Sequence, residues 1–193
     1  MKAVLLAVIA ALALSTSPAS AEEVPPVEAA HVEHDGLLLR ATPGFGAPTN
    51  THGEDTLTIR GPNGRLGLSV GYAVIPRLIG TGDFVAHTQS NSETMAREEA
   101  VWRGTYAGIG INWYTGGNFY LAASMGAAHR SLKIAGMPEM NGTGFGTKLD
   151  VGKEWWVSPD AGMGIAFELL LGNHVYNDDT FAVISLMFSA TYN

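Results

Sequence analysis

Gly162-Met-Gly-Ile-Ala-Phe-Glu-Leu-Leu-Leu171 decides how this chain folds. Met163, Ile165, Phe167, Leu169 and Leu171 are large and apolar, and they alternate with Gly164, Ala166, Glu168 and Leu170. A period of two means a β-strand with two unlike faces. Large apolar residues point one way, while small residues and one carboxylate point the other. A membrane barrel needs that polarity: an apolar outside and a small, polar inside.

Seven comparable runs surround this one. They occupy 36–45, 65–74, 78–87, 104–114, 118–130, 144–156 and 180–192. In the second, Leu66, Leu68, Val70, Tyr72 and Val74 alternate with Gly67, Ser69, Gly71 and Ala73. The third is less regular, with Thr81, Asp83, Val85 and His87 on its inner face. Each run is roughly nine to thirteen residues, close to the length a tilted strand needs to cross a bilayer and longer than most soluble strands. Ile75-Pro-Arg77, Thr115-Gly-Gly117 and Val157-Ser-Pro-Asp160 are short connections. The connections after the first, third, fifth and seventh runs are longer. The first of these carries the turn signal Pro62-Asn-Gly64 and a possible hairpin extension at Leu57-Thr-Ile59. The second, 89–103, is polar enough to hold a short helix. Alternating short and long connections predict an all-β, eight-stranded antiparallel up-and-down transmembrane β-barrel over 36–193, with both termini on the short-turn, periplasmic side.

Residues 1–21 read as a secretory signal peptide. Lys2 is followed by an unbroken apolar run from Ala3 to Leu14 and by Ala19-Ser20-Ala21, with cleavage expected after Ala21. The apolar run is too short for a transmembrane helix. Residues 22–35 form an acidic, proline-bearing leader on the periplasmic side, and His31 and His34 within it do not make a metal site by themselves. The chain has no cysteine, so no disulfide holds it. Its formal charge is −7, which argues against a nucleic-acid partner.

The inward rows predict a barrel-interior polar network of Arg40, Asp83, Lys148, Asp150, Glu154 and Glu168, with His87 and Arg130 higher up. An eight-stranded interior has room only for side chains, so opposite charges are expected to pair there, Glu168 facing Arg40 and Lys148. No open pore, cofactor, metal site or catalytic group is expected. Asp150 with Glu154, and Asp83 with His87, share strand faces but lack a nucleophile and an entrance. Trp113, Phe119, Trp155, Trp156, Phe188 and Tyr192 fall near short turns or the C-terminus and are assigned to the membrane interface. Lys153 sits on the lipid side near the same rim, from which it can snorkel toward headgroups.

Three segments carry a resemblance: His34-Asp-Gly-Leu-Leu-Leu-Arg40, Gly152-Lys-Glu-Trp-Trp-Val-Ser158 and Phe188-Ser-Ala-Thr-Tyr192. The chain resembles the small eight-stranded outer-membrane proteins of the OmpA transmembrane-domain and OmpX type, and more closely barrels of myxobacteria and related deltaproteobacteria. Such proteins commonly end in an aromatic residue read by the barrel assembly machinery; here Tyr192 is followed by Asn193. The resemblance implies residence in the outer membrane among lipid and lipopolysaccharide, without a cell-wall tether. It also implies a structural or surface-interaction role, with any extracellular partner held by the long loops. Candidate loop contacts are Glu54, Asp55, Arg60 and Arg65, and Glu93, Arg97, Glu98 and Glu99. The rival readings are a soluble periplasmic small-ligand barrel with the large residues turned inward, a narrow ion or proton channel, and a lipid-modifying barrel enzyme.

Overall fold

The computed structural model describes residues 36–52, 55–58, 63–93, 99–136, 138–173 and 179–193. Its elements are β1 (Leu37–His52), β2 (Asp55–Thr58), β3 (Asn63–Ile75), β4 (Leu78–Glu93), β5 (Glu99–Tyr114), β6 (Phe119–Ile134), β7 (Met140–Trp156), β8 (Ala161–Asn173) and β9 (Asp179–Tyr192). Every pairing is antiparallel; β1 pairs with both β2 and β3, each later strand pairs with the next in sequence, and β1 pairs with β9 to close the sheet. Eight strands form the wall. The four-residue β2 extends the first hairpin along the upper part of β1, where the Leu57-Thr-Ile59 reading had placed an extension.

One circuit of the hydrogen-bonded register measures how the wall closes. It runs Leu39, Val70, Gly82, Ile109, Met125, Thr147, Leu171, Ala182 and returns to β1 at Thr49. The path re-enters β1 ten residues beyond its start. For eight strands, that stagger sets a tilt of about 40° to the barrel axis.

Alternation survives the whole circuit. Large side chains such as Leu66, Leu68, Val70, Ile109, Leu149, Phe167 and Ile184 are exposed on the outer face, while Gly67, Ser69, Gly164 and Glu168 are buried inside. The inward-turned arrangement of a soluble ligand-binding barrel is therefore not the one this chain adopts. On β7 the exposed row from Phe145 to Trp155 covers ten residue steps. At ~3.3 Å per step and a tilt of about 40° it rises about 25 Å, the height of the apolar band of outer-membrane barrels.

The short connections lie at one end. Pro76 and Arg77 turn β3 into β4, and the turn after β5 is a single 3-10 segment over Gly116–Asn118. Gly117 (φ 78°) and Asn118 (φ 62°) are left-handed there, a conformation that glycine and asparagine tolerate best. The opposite end departs from the sequence reading. Asn63 and Gly64 belong to β3 rather than to a turn, because their backbones pair with Gly46 and Phe45. The stretch 89–103 is mostly strand: β4 runs to Glu93 and β5 starts at Glu99, with a register irregularity between Gln89 and Ser92. β6 likewise continues to Ile134, and a turn at Ala135 and Gly136 follows. The strands therefore rise well past the apolar band.

Candidate functional site

The interior divides into layers. Nearest the short turns lie Leu38, Ile79, Tyr114, Tyr120, Ala122, Ala166 and Met187, which form one apolar cluster. Arg40 and Glu154 are buried in this layer as an ion pair, with Nε 3.0 Å from Oε1. Glu154 also accepts hydrogen bonds from the Tyr114 hydroxyl at 2.8 Å and the Thr191 hydroxyl at 2.6 Å. Arg40 donates to the hydroxyls of Thr191 and Tyr114, and its guanidinium carbon lies 4.3 Å from the Tyr120 ring centroid. Such complete satisfaction is what allows two ions to remain in a buried layer.

A belt of charge lies above. Lys148 Nζ is 2.9 Å from Asp150 and 3.3 Å from Asp83, and Asp83 accepts a 2.6 Å hydrogen bond from Ser69. Arg65 makes a two-pronged pair with Glu168, its Nε 2.8 Å from Oε1 and its second prong reaching Oε2, and it also donates to Thr42 at 2.8 Å. His87 Nε2 lies 3.6 Å from Glu168, while its Nδ1 is 3.1 Å from the Asn63 side-chain oxygen. Among the described residues, no group of three or more His, Asp or Glu side chains is arranged to hold a metal ion. The space between the belt's carboxylates is taken by the Lys148 ammonium.

Above the belt, polarity reverses. Trp102, Tyr106, Leu132, Ile134, Leu170, Phe181 and Val183 fill the inside as a second apolar cluster, with Trp102 and Phe181 edge to face at 6.2 Å. Outward at this level stand Arg103, Thr105, His129, Lys133 and Thr143. Arg130 is buried in the same upper region, on the inward row of β6.

All eight residues of the expected interior network are therefore buried, but their partnerships differ from the expected ones. Glu168 pairs with Arg65, not with Arg40 or Lys148. Arg65, read as a loop contact, is an interior cation, because β3 begins two residues earlier than the turn signal implied. The upper apolar filling was also missed. Its signal is present as the same alternation with reversed polarity, as in Trp102-Arg103-Gly104-Thr105-Tyr106 and His129-Arg130-Ser131-Leu132-Lys133-Ile134.

Of the six aromatics assigned to the membrane interface, Trp113, Phe119, Trp155 and Tyr192 are exposed on the outer face close to the short turns. Phe188 is also outward but higher, paired with Ile165. Trp156 departs from the pattern: it follows Glu154 on the inward row and packs over Gly162, where an added Cβ would meet its ring at 3.4 Å. Glu54, Arg60, Arg97 and Glu98 lie outside the described residues, as do the signal peptide, the leader and its two histidines. Asp55, Glu93 and Glu99 lie in strands.

No protein-family model and no curated protein matches the sequence. Among solved structures, the chain is similar to Ail, the attachment invasion locus protein of Yersinia pestis. The TM-score is 0.56 at 13% identity, over 82% of this chain and 100% of that one. It is also similar to Neisserial surface protein A, with a TM-score of 0.53 at 10% identity, over 82% of this chain and 97% of that one. The chain has the fold of the small eight-stranded outer-membrane β-barrels. At these identities the likeness concerns the fold alone.

Proposed function

We propose that this chain is an integral outer-membrane barrel that spans the bilayer with its lower wall, closes its interior with its own side chains, and offers its upper strands and loops to the cell exterior. The observation that carries this reading is the predominantly apolar outer wall, about one hydrocarbon thickness high, on a sheet that the β1–β9 pairing closes into a barrel. On this reading, the signal peptide is removed after Ala21 and both termini lie in the periplasm with the short turns. The interface aromatics at that rim mark a membrane–water boundary there. Lipid and lipopolysaccharide are then the constant neighbours, and the barrel assembly machinery is a partner during biogenesis.

The role is structural or surface-interacting rather than catalytic or conductive. The belt carboxylates are engaged by Lys148 and Arg65, and the upper cluster covers the belt. An ion path would have to break both. Any specificity for an extracellular partner belongs to the long connections, as is usual for loops on a rigid scaffold.

Isolation of outer membranes followed by gel electrophoresis with and without boiling tests the membrane reading. The expected result is a heat-modifiable band in the membrane fraction; recovery as a soluble periplasmic protein would overturn it. Planar-bilayer recording tests the closed interior. No stable unitary current is expected, and a current altered by Asp150→Asn or Glu168→Gln would establish a channel instead.

A further inference from the structure

Between the short turns and the polar band above, Lys153 is the single charged side chain on the outer face among the described residues. Its ammonium lies 4.6 Å from the Phe119 ring centroid and 5.7 Å from that of Trp155. No carboxylate of the described residues pairs with it. Aromatic faces ease the desolvation of a cation but do not neutralise it. A lysine on the lipid side is tolerated only near the interface, where its ammonium reaches headgroup level.

One outward step along β7 from Lys153 is Val151, about 7 Å away. Val151 lines a groove of ≈ 630 Å³ in the outer wall, with Trp113, Leu121, Ala123, Leu149 and Phe167. Ala123 makes the depression: its register partners on the two flanking strands are the larger Ile111 and Leu149. The groove is thus apolar along its length and has an unneutralised cation, held against aromatic rings, at its short-turn end.

We propose that the groove and Lys153 form a binding site for one anionic phospholipid of the leaflet on the short-turn side, with an acyl chain along Ala123 and the headgroup phosphate on the Lys153 ammonium. This rests on the membrane reading above. Charge favours a lipid over a second copy of the chain. A two-fold dimer built on this face repeats the same patch on both subunits, so two lysines at the same level would approach one seam with no carboxylate between them.

The test uses the full barrel folded into phosphatidylcholine vesicles containing a small fraction of lipid with brominated acyl chains, either phosphatidylglycerol or phosphatidylcholine. Bromine quenches tryptophan on contact, and Trp113 and Trp155 stand at the site. Brominated phosphatidylglycerol is expected to act as though enriched about fivefold at the site, the effect of one basic residue beside an anionic surface. Lys153→Gln should abolish the preference, Lys153→Arg should retain it, and Lys133→Gln, at the opposite end, should leave it unchanged. Equal quenching by the two lipids, or a preference that survives Lys153→Gln, would overturn the proposal. So would self-association that shields both tryptophans from both lipids, which would indicate a second copy. The boiled and unboiled gel bands of the same samples separate the two levels: a barrel that fails to insert defeats the membrane reading, whereas one that inserts without preference defeats the lipid site alone.

Discussion

The lower and upper halves of the barrel are built from the same strands, with opposite polarity on their outer faces. Below, Leu149, Val151 and Trp113 face out while Glu154, Asp150 and Lys148 face in. Above, Arg103, Thr105 and Lys133 face out while Trp102, Leu132 and Phe181 face in. The backbone does not change between the halves; on the membrane reading proposed above, the solvent outside it does. Where lipid surrounds the wall, apolar side chains cost nothing outside and the confined interior can hold satisfied ion pairs. Where water surrounds it, the hydrophobic effect acts inward and the barrel packs like a soluble one. On that reading, the exchange of outward polarity along a single strand marks the level at which the membrane ends.

Four substitutions, one per face and half, break this comparison if it is wrong. Glu154→Ala, in the lower interior, leaves Arg40 buried without its counter-charge. It should cost about 3–5 kcal/mol in equilibrium unfolding by denaturant in vesicles, the usual effect of removing one partner of a buried pair. Trp102→Ala, in the upper interior, removes the largest buried side chain of that cluster, and its expected loss is about 3–4 kcal/mol from transfer and cavity. This second loss should be the same in detergent micelles and in bilayers, because lipid does not reach the site. Leu149→Arg, on the lower exterior, should cost about 2–4 kcal/mol in bilayers. Its penalty should shrink in thin bilayers or detergent, where water comes closer. Thr105→Arg, on the upper exterior, should change stability by no more than about 0.5 kcal/mol. If Leu149→Arg and Thr105→Arg proved equal in thick bilayers, no membrane boundary would lie between them.

The alternation of side chains, and with it the barrel, was legible in the sequence because a strand's two faces follow from local geometry alone. The inward identities of Arg40, Asp83, Lys148, Asp150, Glu154 and Glu168 were legible for the same reason. Their partnerships were not. Arg65 and Glu168 meet from β3 and β8 across the barrel, and whether two such side chains share a level depends on every register between them. No window of sequence holds that information. The upper cluster was hidden by a different cause. Arg103, Ser131 and Lys133 gave polar character to stretches that also contained Trp102, Leu132 and Ile134, so average polarity indicated a loop while alternation still indicated a strand. Reading hydropathy without parity moved the strand ends inward. Pro62-Asn-Gly64 did the same locally: its turn composition outweighed the pairing of Asn63 and Gly64 with β1.

The ten-residue return of the register circuit acts as a checksum on assembly. Each hairpin fixes one offset, and the offsets accumulate around the wall until β9 meets β1. The total is even, so the rows that began outside arrive outside. A slip of one residue in any single hairpin would make the total odd and bring β9 to the seam with Leu186 and Ile184 turned toward Arg40's side of the wall. Such a chain could form every other hairpin correctly and still fail to close. The β1–β9 seam, joining the strands furthest apart in sequence, thus tests the summed parity of all the earlier pairings at once.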